Sequence, residues 1–366
     1  MIQKAVVLLL AVASVAACVC CGSTANHYVY ATIPQANQVI AFREDPNSGV
    51  LIEITGSPYS VGDGANSLVI HPSGKFLYVA NPGQEENDIS LFNIAATGGF
   101  LTEVPPRTSV SPATLPQFLA MDPAGAYLYV ANAGTFDISV FSINSGTGAL
   151  TPVTGSPFSI GVTPQSMVLN PSGTFLFVGV PGVGTRDGSI LTFSVNAGAL
   201  TSVASGDSGG SNPDGLAVDP SGQYLYVANT SSNSIAVFQI QSTGALSGVT
   251  GSPLNDGYLS PTSLLLDPTG KFLYIADQGS NNVAAFSITN GLPTALTTST
   301  TSNAYSTEKS PTVMAVDPNG KYLFVGNQGS GAGIQSFKVD TSNSLTLTPL
   351  FTYGVGNTPS SIAVLQ

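Results

Sequence analysis

The phrase Asp-Pro-Ser-Gly-Gln-Tyr-Leu-Tyr-Val-Ala-Asn occupies residues 219–229, and close copies begin at His71, Asp122, Asn170, Asp267 and Asp317. Counting from residue to residue, the copies are spaced 51, 48, 49, 48 and 50 apart. A period of this length marks stacked units that bury their faces on one another. It overrides the prior that a 366-residue chain divides into two or three domains.

Each period holds four short runs rich in Val, Ile, Tyr and Phe, bounded by Gly, Pro, Asn and Ser. In the period that opens at Pro213 they are Gly215–Asp219, Gln223–Asn229, Ser234–Ile240 and Gly244–Gly251. Such runs read as strands, and no stretch after the leader keeps a helical period. With 8% charged residues, 43% apolar ones, 40 Gly and 25 Pro, the composition fits many strands joined by turns and not a disordered chain. Four strands per period of about fifty residues make the blade of a β-propeller.

The ends set the blade number. Residues 27–54 supply a second, third and fourth strand without a first, and residues 358–366 supply a first strand and nothing more. Six whole blades and one shared between the termini give an all-β, seven-bladed propeller over residues 27–366, with four antiparallel strands per blade. It closes where the C-terminal strand pairs into the N-terminal blade. Closure leaves no open edge to pair with another chain, so a monomer is expected.

The phrase itself reads as scaffold. Asp-Pro-x-Gly spells a type I turn, with Asp accepting a local hydrogen bond, Pro presetting φ and Gly supplying the left-handed exit. The Tyr-Leu-Tyr-Val-Ala-Asn that follows has no polar face, as befits a strand packed on both sides.

Lys4 followed by the apolar run Ala5–Ala17 forms a leader too short to span a bilayer. Its end, Val15-Ala16-Ala17-Cys18, resembles a bacterial lipobox, which predicts a signal peptide over 1–17 and lipidation of Cys18. Residues 18–26 then become a short linker at the cell envelope, facing away from the cytoplasm. Cleavage after Ser23-Thr24-Ala25, with plain secretion, is the other reading. All three cysteines lie in this segment, so the body holds neither a disulfide nor a Cys-based metal site. A formal charge of −11 predicts repulsion from nucleic acid. The lipid anchor makes the membrane the one expected large partner.

The repeated blade centres, third strands such as Ser-Ile-Ala-Val-Phe-Gln-Ile and the phrase Thr-Gly-Ala-Leu-Thr-Pro-Val-Thr-Gly-Ser-Pro-Phe at 147–158 resemble the seven-bladed lactonase-type propeller family. That family includes bacterial 6-phosphogluconolactonases and a carboxy-muconate cyclase, and the resemblance runs from Tyr28 to Gln366. It implies the propeller fold and a ligand site at the mouth of the central channel. It also implies Arg and His where inner strands open on a Pro-Arg-His-like phrase. The seven openings here are Ala65-Asn66-Ser67, Pro116-Gln117-Phe118, Pro164-Gln165-Ser166, Pro213-Asp214-Gly215, Pro261-Thr262-Ser263, Pro311-Thr312-Val313 and Pro359-Ser360-Ser361. None contains Arg or His.

The face carrying those openings is acidic instead. Asp63, Asp207, Asp214, Asp256 and Glu308 fall in loops leading into inner strands, and Asn81, Asn132, Asn229, Asp277 and Asn327 end second strands nearby. They read as a solvated rim of local turns, or as a ring of oxygens for a glycan, a peptide, a small molecule or Ca²⁺. No His/Asp spacing signals zinc, so no other metal and no cofactor is expected. Two functions follow. One is a ligand-binding or interaction scaffold working through the channel mouth. The alternative is a lactone hydrolase in which Asp214 or Glu308 activates water and Arg186 or Lys309 assists. The tripeptide Gly-Ser-Pro at 56–58, 155–157 and 251–253 falls in alternate blades, for no reason visible in the sequence.

Overall fold

The computed structural model describes residues 27–365, apart from 84–85, 183–186, 256, 295, 297–302, 330–332 and 342–344. The leader and Cys18 lie outside the described residues. Seven antiparallel sheets stand in a ring, each ordered from an inner strand to an outer one. In the second blade these are Ser67–Ile70, Phe76–Asn81, Asp88–Ile94 and Leu101–Glu103. Inner strands of the later blades are Pro116–Met121, Ser166–Leu169, Pro213–Val218, Pro261–Leu266 and Pro311–Val316. The first blade takes its inner strand from the far end of the chain. Ser361–Leu365 pairs antiparallel with His27–Ile33, from Thr32 opposite Ser361 to Tyr28 opposite Leu365.

Second strands such as Phe76–Asn81 are buried at every position because each touches two blades. Leu77 and Val79 face the first blade with Tyr28 and Tyr30, while Tyr78 and Ala80 face the third with Val130 and Phe141. Seven apolar clusters result, one between each pair of neighbouring blades. The cluster between the seventh blade and the first completes the ring through Val29, Phe42, Phe324 and Ile362. The tyrosines add a polar tie, since Tyr30, Tyr78 and Tyr226 donate at 2.7–2.8 Å to the carbonyls of Gly99, Gly148 and Gly291 in the next blade's outer turn. At the same position Phe177 and Phe324 fill the space without the hydroxyl.

The Asp-Pro-x-Gly phrases are turns. Glycine N–H groups donate to the carbonyls of Asp122, Asp219, Asp267 and Asp317 at 2.8–2.9 Å, and the same aspartates accept from the backbone that re-enters the strand. Asn170 does this too, through Oδ1. His71 instead sends Nε2 to the carbonyl oxygen of Gly125 in the next turn, 2.9 Å away.

The outer strand departs from the single run that the sequence suggests. Among the described residues it breaks in two in four blades, and the second piece returns to the start of the third strand, as Tyr59–Ser60 does on Gln38–Glu44; in the fifth blade the return is a single bridge between Leu254 and Ile235. Gly-Ser-Pro sits at such breaks. Ser57, Ser156 and Ser252 accept at 2.7–3.1 Å from the backbone N–H groups of Ala41, Val140 and Val237, which the interrupted partner strand leaves open. The glycine before each serine has a φ of 89–95°, a conformation that costs glycine alone little. The fourth and seventh blades need no such device, because their outer strands Ala199–Asp207 and Thr346–Gly354 run unbroken.

Candidate functional site at the channel mouth

The inner-strand openings converge on a polar cavity of about 230 Å³ on the ring axis. Four of them carry a β-bulge at the residue after proline: Gln117, Asp214, Thr262 and Thr312 each stand as the extra residue in the pairing with the second strand. A bulge re-aims a side chain, and three of these four line the cavity. The residue ahead of each proline, Leu115, Asn212, Ser260 or Ser310, has a φ of 53–57°. That left-handed conformation is costly for a side-chain-bearing residue and tends to cluster at functional sites. Three of the four are pinned from the neighbouring hairpin, where Asn87, Asn233 and Asn281 accept their N–H groups at 2.6–2.8 Å.

Among the described residues that line the cavity Asp214 alone bears a charge; Ser, Thr and Asn supply the other polar groups. Burial pushes its carboxyl up from the ordinary carboxylate range, with the neighbouring Thr230 side chain opposing. Many of the hydroxyls at the mouth are committed to joining blades. Ser166 donates to the Pro213 carbonyl at 2.5 Å and Thr230 to that of Pro261 at 2.8 Å. Ser67 and Ser361 accept from the N–H groups of Leu119 and Leu68 at 3.1 and 3.2 Å, which leaves each O–H able to donate into the cavity.

The other sequence candidates lie elsewhere. Asn81, Asn132, Asn229, Asp277 and Asn327 are buried and do not form a solvated rim. They brace the hairpins: Asn132 donates to Asp137 at 2.8 Å and Ser139 at 2.9 Å, and Asp277 accepts from the Leu259 N–H at 2.7 Å. Packing explains their position, since neighbouring blades cover the ends of the second strands. Burial also pushes the Asp277 carboxyl up. Asp63, Asp207, Glu308 and Lys309 are exposed, with Asp63 on a loop, Asp207 ending the outer strand of the fourth blade, and Glu308 and Lys309 adjacent on another loop. Asp63 bonds Asn37 at 3.0 Å, and Glu308 accepts from Thr352 at 3.3 Å. None of these four lines the cavity, and Arg186 and Asp256 lie outside the described residues. Arg107 is held by Glu86 at 2.9 Å and Glu103 at 2.8 Å, away from the axis. The residues missed in the sequence are Asn87, Asn233 and Asn281 and the donors Ser67 and Ser361. Their roles depend on register and on contacts between blades, which no local motif announces.

A seven-bladed ring with a polar cavity at the inner-strand openings defines a propeller with an axial polar cavity. The family profile described as "Lactonase, 7-bladed beta-propeller" matches residues 22–164, 161–256 and 255–364, so the chain belongs to that family. Among solved structures it is similar to a candidate 6-phosphogluconolactonase from Bacteroides fragilis. The TM-score is 0.78 and the identity 20%, over 94% of this chain and 99% of that one. It is also similar to the periplasmic gluconolactonase of Pseudomonas aeruginosa, with a TM-score of 0.74 and 19% identity over 93% and 99%. A Lactobacillus plantarum protein aligns with a TM-score of 0.76 and 21% identity over 93% and 99%. At these identities the solved structures speak for the fold alone.

Proposed function

We propose that the channel mouth binds a small, uncharged polyhydroxy ligand of the sugar or sugar-lactone class. One observation carries the reading: the cavity offers one carboxyl acceptor and several hydroxyl groups, with no Arg, Lys or His among the described residues that line it. Hydroxyl-rich ligands exchange hydrogen bonds with such a wall, whereas a phosphate would meet Asp214 without a compensating cation.

Hydrolysis of the bound lactone is a second reading, favoured by family membership and by the raised carboxyl of Asp214. Asp214 would take a proton from water as the water oxygen bonds to the lactone carbonyl carbon. Ser67 or Ser361 would donate to the resulting oxyanion, and the proton would pass to the ring oxygen as its bond to that carbon breaks.

The same reading places the protein outside the cytoplasm, held to the membrane through Cys18. The leader, with Lys4, the apolar run Ala5–Ala17 and Cys18 at its end, supports that placement. The experiment is a panel of sugar lactones tested for thermal stabilisation and turnover with wild type and Asp214→Asn. Stabilisation without turnover fits binding alone, and turnover that collapses in the variant fits hydrolysis. Neither response to any uncharged lactone or sugar would refute the proposal.

A further inference from the structure

On the face opposite the channel mouth, the Asp-Pro-x-Gly turns form a second ring. The added methyl of an alanine at Gly173, Gly270 or Gly320 would meet the proline of the preceding blade's turn, Pro123, Pro220 or Pro268. The first blade has no such turn, because its first and second strands come from opposite chain ends. At that gap lie His27, Glu44 and Asp317, which are 5%, 0% and 1% exposed. His27 Nδ1 is 3.2 Å from Glu44 Oε2 and 3.9 Å from Asp317 Oδ2.

The molecule's own repeats show how unusual Glu44 is. It pairs with His27 at the end of the third strand. By the same register the other six blades place Ile94, Ile143, Val195, Ile240, Ile288 and Val339 there. His27 correspondingly replaces residues such as Lys75, Lys271 and Lys321, all exposed. A buried carboxylate in an aliphatic position is destabilising unless something neutralises it. Among the described residues its Oε1 has no hydrogen-bond partner.

We propose that His27, Glu44 and Asp317 form a divalent-cation site that fastens the first blade to the seventh. Their ligand atoms lie within 4.8 Å of one another. Donors about 2.1 Å from one tetrahedral ion stand roughly 3.4 Å apart, between the two separations measured from His27. One imidazole and two carboxylates suit Zn²⁺ or Mn²⁺ better than Ca²⁺, which takes an all-oxygen shell of six or more donors.

The surroundings fit as well. Asp317 spends Oδ1 on the Lys321 and Tyr322 N–H groups, and its Oδ2, held by the Asn319 N–H at 3.2 Å, keeps a lone pair toward His27. Asn319 Nδ2 sits 3.3 Å from His27 Nε2. With that amide turned over, Oδ1 accepts from Nε2–H and leaves Nδ1 to bind the ion, a usual support for a ligating histidine.

The test titrates metal-stripped full-length protein with Zn²⁺ alone and with Mn²⁺ alone, by calorimetry and by thermal melting. One ion should bind per chain and raise the melting temperature. Two variants guard against misfolding. Glu44→Ile copies the other blades, and Asp317→Asn keeps the turn as Asn170 does. Each should melt cooperatively and bind at least tenfold more weakly, while Glu53→Gln, an acid elsewhere on the first blade, should bind as wild type does. No binding by wild type, or equal binding by both variants, would overturn the proposal; the cluster would then be a proton-sharing group only.

Discussion

Asp214 shows how one residue becomes exceptional through its setting. In the sequence it is one acid among twenty, marked only by its place after Pro213. The bulge turns it toward the axis, and burial raises its carboxyl. That shift has a stability consequence. The folded state holds the proton more tightly than the unfolded chain, where the carboxyl titrates near pH 3.9 or so. Stability therefore falls as pH rises from the unfolded value through the raised folded one. Asp214→Asn should remove that part of the pH dependence. Its melting temperature should exceed that of wild type near neutral pH, and the difference should vanish in acid below the unfolded value. A melting series from pH 3 to 8, or thereabouts, checks it; equal curves throughout would show that the carboxyl is not desolvated. At Tyr226, removal of the hydroxyl that bonds Gly291 at 2.8 Å should cost about 1 kcal/mol. Tyr226→Phe, measured by denaturant unfolding, checks that value, and the ring position should not move because Phe177 and Phe324 already occupy the same place.

At the scale of elements, the sequence was legible where the rule is local. The Asp-Pro-x-Gly turns and the two-faced second strands follow from residue chemistry within eleven-residue phrases, and the structure contains both. Gly-Ser-Pro was visible but mute. Its role depends on an unpaired N–H in another strand, which becomes apparent only when the outer strand is seen to break. Ser156→Ala should leave the Val140 N–H buried without its 2.8 Å acceptor, at a cost of about 1–3 kcal/mol. Denaturant unfolding of that variant against Ser145→Ala, an exposed turn serine in the same blade, measures the difference. The bulges were hidden for a similar reason. Register belongs to a pair of strands, and the sequence names only one of them at a time. The buried trio at the gap was hidden too, since its members come from opposite ends of the chain and have no motif spacing.

For the whole molecule, the period and the unmatched strands at the two ends were enough to give seven blades and their closure. The function was less legible, because ligand chemistry resides in the few side chains that the ring gathers at its axis and one fold hosts many activities. Deleting Ser361–Gln366 removes the inner strand of the first blade and with it Ile362 from the last interblade cluster. It should cost several kcal/mol, beyond the usual effect of a point change, and thermal melting would detect it. The central claim is that the axial cavity is built for an uncharged polyhydroxy ligand. The most direct measurement compares binding of a sugar lactone with binding of its phosphorylated form, by calorimetry under one buffer, to wild type and Asp214→Asn. The account predicts that the uncharged lactone binds wild type, that the phosphorylated form binds at least tenfold more weakly, and that Asp214→Asn weakens the former. Tighter binding of the phosphorylated lactone, or binding of the uncharged one indifferent to Asp214, would contradict it.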